Sequence, residues 1–203
     1  MKLPKIEVNS PVIIWYAAIS FVILLFGYAT ENHSTMTLFT CYRTSVSDPM
    51  MYVRMMSYVF GHKDITHYMN NFFLITLIGP MLEEKYGSKR LVGMMAITAF
   101  VGGVANLLTT DLGLLGASGI AFMMIVLCSC TSVNAGKIPL TLILVVVIYV
   151  GQEVVTGVTT KDSISQLTHI LGGLCGVAFG LYYNKYGIPK ASKTSKASKS
   201  KAS

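Results

Sequence analysis

Long apolar stretches separated by short polar breaks dominate the chain up to about residue 186. A helix needs about 20 predominantly apolar residues to cross the hydrocarbon of a membrane, and the pattern contains six segments of that kind. They are predicted at residues 11–29, 66–82, 91–109, 114–133, 138–158 and 164–184. The sequence therefore predicts an all-α polytopic membrane protein built as a compact bundle of six transmembrane helices.

The composition agrees with a membrane environment. Hydrophobic residues make up 53% of the chain and charged residues 12%, with a mean hydropathy of +0.59, whereas soluble domains carry roughly 25% charged residues. The first segment is longer than a signal-peptide core and has no convincing cleavage site, so it is predicted to be retained. The long connection at 30–65 is predicted to contain short helices, because loops of that length rarely lack regular structure.

The basic residues are unevenly distributed between the two sides of the predicted bundle, with only Arg43, Arg54, Lys63 and Lys161 on the outer side. Lysine and arginine concentrate on the cytoplasmic side of membrane proteins, and their distribution predicts that both termini are cytoplasmic. The net charge of +7 comes largely from the six lysines that follow the last apolar segment, from Lys185 to Lys201, so it does not indicate nucleic-acid binding. We predict a membrane domain at 1–186 and a disordered, Lys/Ser/Ala-rich cytoplasmic tail at 187–203, because the tail has too little apolar surface to fold.

A serine and a histidine occur inside apolar segments, where polar side chains are costly. Ser118 lies in the run Gly-Ala-Ser-Gly at the start of the fourth segment, and His169 lies near the start of the sixth. The glycines at 172, 176 and 180 form a stripe that predicts close packing against another helix. Such packing would bring His169 close enough to Ser118 to act as its general base. The alternative is that the Gly-Ala-Ser-Gly run and the glycine stripe serve only to let helices pack closely.

Two further polar residues, His67 and Asn71, lie four residues apart on the second segment and therefore share one helical face. They are candidates for stabilising the oxyanion of an acyl-transfer reaction, and interhelical hydrogen bonding is the alternative. Gly116 is included in this oxyanion and substrate-binding site. His62 could contact the same site or lie at the membrane interface, and both possibilities remain open.

Together these motifs resemble the rhomboid family of intramembrane serine proteases. The resemblance rests on His62, His67 and Asn71, on the Gly-Ala-Ser-Gly run, and on His169 followed by Gly172 and Gly176. It implies that Ser118 is the nucleophile and His169 the base of a dyad without an acid, with His67 and Asn71 assisting the oxyanion.

The resemblance also extends to structural positions. Arg54 corresponds to the arginine of the family's Trp-Arg pair, with Val53 where tryptophan is usual, and Thr168 precedes the histidine where alanine is usual. Glu84 and Gly87 are similar to a structural pattern of the family. No role follows for Glu153.

The implied function is an intramembrane serine endopeptidase that cuts single-span transmembrane proteins near the outer face. Such an enzyme needs no metal or organic cofactor, works among membrane lipids, and would be expected in the plasma (inner) membrane. Two alternatives remain: a catalytically inactive relative that binds membrane-protein clients, and a small transporter that uses its intramembrane polar residues. The sequence does not indicate the oligomeric state.

Overall fold

A computed structural model describes residues 9–130 and 163–188, together with Leu140, Leu144 and Val147. Glu153, most of the predicted fifth segment and the basic tail lie outside the described residues. Within the described part the protein is helical, with one isolated bridge between Cys41 and Leu114. The helices are α1 (Pro11–Ala29), α2 (His33–Leu38), α3 (Pro49–Ser57), a 3₁₀ turn (Tyr58–Phe60), α4 (Ile65–Tyr86), α5 (Ser88–Thr109), α6 (Ser118–Cys130) and α7 (Ser163–Tyr186).

The predicted apolar segments agree with the helices at most boundaries. Among the described helices, α1 and α5 are long and apolar enough to cross a membrane, and α6 is a shorter apolar helix. The count of six spans and the cytoplasmic termini therefore stay predictions. The prediction of short helices in the segment 30–65 is confirmed by α2 and α3.

The boundary predicted at residue 114 is wrong, because α6 begins at Ser118. Leu114 instead exchanges backbone hydrogen bonds with Cys41, at 2.8 Å in both directions. Gly116 then takes a φ of +121°, a backbone conformation that favours glycine and that a continuous helix would not contain. The four residues before Ser118 thus form an anchored turn.

A buried carboxylate joins three helix ends. Glu83, near the end of α4, accepts hydrogen bonds from the backbone N–H groups of Val12 at 3.1 Å and Ile13 at 3.2 Å, at the start of α1. The hydroxyl of Ser88, at the start of α5, donates to the same carboxylate at 2.7 Å. An anion is favourable there because the first N–H groups of a helix have no intrahelical partners. Helices α1 and α5 therefore begin at the end of the bundle where α4 ends.

Helices α6 and α7 pack along the predicted glycine stripe. Gly172 lies against the backbone of Gly119, Gly176 against Met123, and Gly180 against Cys130. These contacts advance along both helices together, so α6 and α7 run parallel. The prediction that the stripe packs against a neighbouring helix is confirmed.

Candidate active site

The turn before Ser118 is fixed by a hydrogen bond from outside α6. The N–H of Gly116 donates to the carbonyl oxygen of Tyr58 at 3.0 Å, and the Tyr58 hydroxyl donates to the carbonyl of Ala99 at 3.1 Å. Tyr58 is buried. The half-buried Ser118 follows this turn as the first residue of α6, so its position depends on both α5 and the 3₁₀ turn.

His169 is held against the same face of α6. Its ring stacks on Phe122 with 4.3 Å between ring centroids and an angle of 8° between the planes. Phe122 follows Ser118 by four residues, which places the two side chains on one helical face. Thr168 also packs here: a Cβ atom added to Gly119 would lie 3.0 Å from the Thr168 Cγ2 atom. The structure therefore places His169 and Ser118 on facing surfaces of two closely packed helices.

His67 and Asn71 reach the same turn from α4. A Cβ atom added to Gly116 would lie 2.7 Å from His67 Nε2 and 3.5 Å from Asn71 Nδ2. Asn71 is buried, and its Nδ2 atom has no hydrogen-bond partner among the described residues. His67 and His169 are also close enough to interact electrostatically. The structure thus brings His67, Asn71 and Gly116 together beside Ser118.

Of the two possibilities for His62, the structure favours contact with the site. The side chain is fully buried, and its ring centroid lies 5.0 Å from that of His67. Its Nδ1 atom donates to the carbonyl of Phe60 at 3.2 Å. Burial, assisted by the nearby His67, lowers the pKa of His62 from 6.5 to about 4, so the ring is neutral at pH 7 and packs behind His67.

Arg54 lies away from this cluster and anchors the segment between α1 and α4. Its guanidinium contacts the Asp48 carboxylate at 2.8 Å and the Thr44 hydroxyl at 3.1 Å, and it covers the ring of Tyr42 at 4.3 Å. Hydrogen bonds from Thr44 and Arg54 lower the pKa of Asp48. Val53 is half-exposed beside it, so the residue at the tryptophan position faces outward.

The sequence does not point to Phe122 and Tyr58 beside the site, or to Glu83 at the opposite end of α4. Phe122 and Tyr58 were not singled out, although the spacing of four residues after Ser118 is a signal for Phe122. The resemblance points to Glu84 next to Gly87 as structural, whereas Glu84 is exposed and Glu83 is buried and makes the contacts. Two adjacent glutamates cannot be distinguished without knowing which face of α4 is buried.

In the described ranges, no group of three or more His, Cys, Asp or Glu side chains is arranged to hold a metal ion.

Among known protein families, the Rhomboid domain matches residues 49–186. The chain belongs to the rhomboid family. The matched region runs from α3 to the end of α7 and includes every residue of the candidate site, while α1 and α2 precede it. Rhomboid proteins are intramembrane proteases or inactive relatives, so this chain is an integral membrane protein of one of these two kinds. Among curated proteins, no sequence matches this rhomboid protein at a significant level.

Proposed function

We propose that this rhomboid protein is an active intramembrane serine endopeptidase. Ser118 is the nucleophile, His169 is the general base, and His67 and Asn71 stabilise the oxyanion beside Gly116. The observation that carries the proposal is the convergence of α4, α6 and α7 on one turn, with His169 stacked one helical turn from Ser118 and two side-chain donors facing Gly116.

The arrangement supports acyl transfer through a covalent intermediate. The Ser118 Oγ atom attacks the carbonyl carbon of the scissile peptide while His169 accepts the hydroxyl proton. The carbonyl oxygen becomes negative and accepts hydrogen bonds from Asn71 Nδ2 and His67. The carbon–nitrogen bond then breaks, and His169 returns the proton to the leaving amine.

Water completes the reaction. His169 removes a proton from water, whose oxygen attacks the Ser118 ester, and the acid product leaves as Ser118 regains its proton. Each oxyanion donor contributes about 3 to 4 kcal/mol in well-studied acyl-transfer enzymes. Asn71 suits this role because its buried Nδ2 donor makes no hydrogen bond within the described residues, and a substrate oxygen in the site would supply the acceptor.

The proposed substrate is a single transmembrane segment that unwinds locally. A regular helix already uses its carbonyl groups in hydrogen bonds, and unwinding exposes the scissile group to Ser118. We place the protein in the plasma membrane with both termini cytoplasmic and the cut near the outer face, as a six-helix domain at 1–186 with a tail at 187–203.

An inactive, client-binding rhomboid relative is the second candidate. The family contains such proteins, and they share the fold. The presence of both Ser118 and His169 at adjacent surfaces favours the protease, because a client-binding protein does not need a nucleophile next to a base.

Cleavage of a single-span reporter in proteoliposomes tests the proposal. Wild type is compared with Ser118→Ala and His169→Ala, and the matched controls are Ser129→Ala on the same helix and the exposed His33→Ala. The hydroxyl of Ser129 bonds to the Ile125 carbonyl, outside the site. We expect both site variants to lose cleavage while both controls retain it.

A fluorophosphonate probe gives a second, independent readout. Such probes react with an activated serine, so wild type should be labelled at Ser118 and His169→Ala should be labelled much more slowly. An inert wild-type protein that binds the reporter would favour the client-binding relative. Cleavage that survives Ser118→Ala would exclude the proposed nucleophile.

A further inference from the structure

An apolar groove opens between α1 and α5. We call it the α1–α5 groove. Its walls include Trp15 and Ile19 of α1 and Val92 and Ala96 of α5, and Met56 and Phe60 also line it. Its volume is about 470 Å³, within the range of about 300–1,000 Å³ typical of ligand pockets. Trp15, Ile19 and Val92 are also substantially exposed.

The length and position of the groove match one leaflet of a bilayer. The groove follows α5 as far as Ala99, ten residues beyond Lys89, and ten helical residues span about 15 Å. The hydrocarbon of a bilayer is about 30 Å thick, so this distance is about half of it. The Tyr58 hydroxyl donates to the carbonyl of Ala99, which places the neighbouring Met56 and Phe60 at this level. An acyl chain that ends against them would end near the middle of the membrane.

A positively charged side chain lies at the end of the α1–α5 groove where α1 and α5 begin. Lys89 is exposed and precedes Val92 by three residues and Ala96 by seven, so all three follow one side of α5. In the sequence, Lys2 and Lys5 come shortly before α1, which starts at this same end of the bundle. A phosphate at the level of Lys89 would therefore place an attached acyl chain directly in the apolar groove.

We propose that the α1–α5 groove binds one acyl chain of an anionic glycerophospholipid, with Lys89 contacting the headgroup phosphate. The occupant comes from the leaflet at the end where α1 and α5 begin. Its acyl chain packs against the underside of Met56 and Phe60, the segment that also carries the carbonyl group bonded to His62. The inference rests on the groove and on membrane insertion, and it does not depend on catalytic activity.

Native mass spectrometry of the full chain tests the proposal with phosphatidylglycerol and phosphatidylcholine of identical acyl chains. We expect wild type to retain one phosphatidylglycerol in preference to phosphatidylcholine. Lys89→Gln should weaken phosphatidylglycerol binding about fivefold, since one lysine near an anionic surface contributes about 1 kcal/mol. The matched control is Lys185→Gln, which removes an exposed lysine from the end of α7. Phosphatidylcholine binding should be unchanged in both variants.

A second pair of variants tests the groove itself. Ala96→Phe fills the groove and should abolish retention of both lipids, while Ile97→Phe, at the next residue and outside the groove, should not. If Ala96→Phe does not fold, Val92→Trp fills the groove from its open side. Lipid retention by the filled variants, or equal losses in Lys89→Gln and Lys185→Gln, would overturn the proposal.

Discussion

Replacing Gly172 with alanine should separate α6 from α7 at the level of the candidate dyad. A Cβ atom on Gly172 would collide with the carbonyl oxygen of Gly119 and would lie 2.9 Å from its carbonyl carbon and 3.1 Å from its Cα atom. All three are backbone atoms, so no side-chain rotation relieves the contact. Carbon atoms pack best at about 3.5–4.0 Å, and the helices must therefore move apart by about 0.5–1 Å.

The neighbouring glycine provides the matched control. A Cβ atom on Gly173 would meet only the Val126 Cγ2 atom, at an ordinary 3.6 Å. Both substitutions gain about 1 kcal/mol of helix propensity, but only Gly172→Ala adds an overpacking cost of about 1–3 kcal/mol. We expect Gly173→Ala to be as stable as wild type or slightly more stable, and Gly172→Ala to be less stable than Gly173→Ala.

The effect on activity should exceed the effect on stability. A displacement of about 1 Å between reacting groups can reduce a rate about 100-fold, and Gly172 lies three residues from His169. Reporter cleavage and thermal unfolding, measured for both alanine variants in the same lipid, compare the two effects. If Gly172→Ala cuts as fast as Gly173→Ala, the close approach of α6 and α7 does not position the dyad.

Three further outcomes follow from individual contacts. The pKa of His62 is about 4 in the folded protein and about 6.5 when unfolded, so the unfolded chain binds more protons between these pH values. The free energy of unfolding should therefore fall by up to about 3 kcal/mol as the pH drops from 6.5 to 4. His62→Gln should show a shallower fall across this range, and an unchanged slope would contradict the assignment. Glu83→Gln should cost about 1–3 kcal/mol in thermal unfolding, because the amide keeps one oxygen acceptor and replaces the other with an NH2 donor that faces a backbone N–H. Exposed Glu84→Gln should change stability by less than about 0.5 kcal/mol, and equal effects would refute the role of Glu83. Phe122→Leu should lower kcat about tenfold with little change in KM, because an aromatic stack contributes about 0.5–1.5 kcal/mol to holding His169 in place. Phe122→Trp should keep most of the wild-type rate. Full activity in the leucine variant would show that stacking is dispensable.

The sequence was sufficient for features that depend on regular periodicity. The apolar segment at 11–29 coincides with α1, and the four-residue spacing of the glycines correctly predicts a packed face on α7. The pairing of His67 with Asn71 also follows from helical spacing alone. These features need only the geometry of one helix, so the sequence contains all the information required.

Features that depend on contacts between distant segments could not be predicted in this way. The start of α6 is delayed because Leu114 pairs with Cys41, more than seventy residues earlier. The choice of Glu83 over Glu84 depends on where α1 begins relative to the end of α4. The packing of Thr168 also depends on other helices. Its Cγ2 atom would lie 3.0 Å from a Cβ atom added to Gly119 and 3.3 Å from one added to Gly102, so glycine at both positions leaves room for it. In each case local pattern is consistent with several outcomes, and tertiary contact selects one.

The 3₁₀ turn at Tyr58–Phe60 explains why the segment before α4 matters to the site. All three of its carbonyl groups accept hydrogen bonds from outside the turn: Tyr58 from the N–H of Gly116 at 3.0 Å, Val59 from the hydroxyl of Tyr16 at 2.8 Å, and Phe60 from the His62 ring at 3.2 Å. Buried carbonyl groups require donors, and these donors come from α1, from the turn before Ser118 and from the histidine behind His67. Displacing the turn would therefore disturb the nucleophile and the oxyanion donors together. The segment between α1 and α4 is part of the scaffold that holds the candidate site.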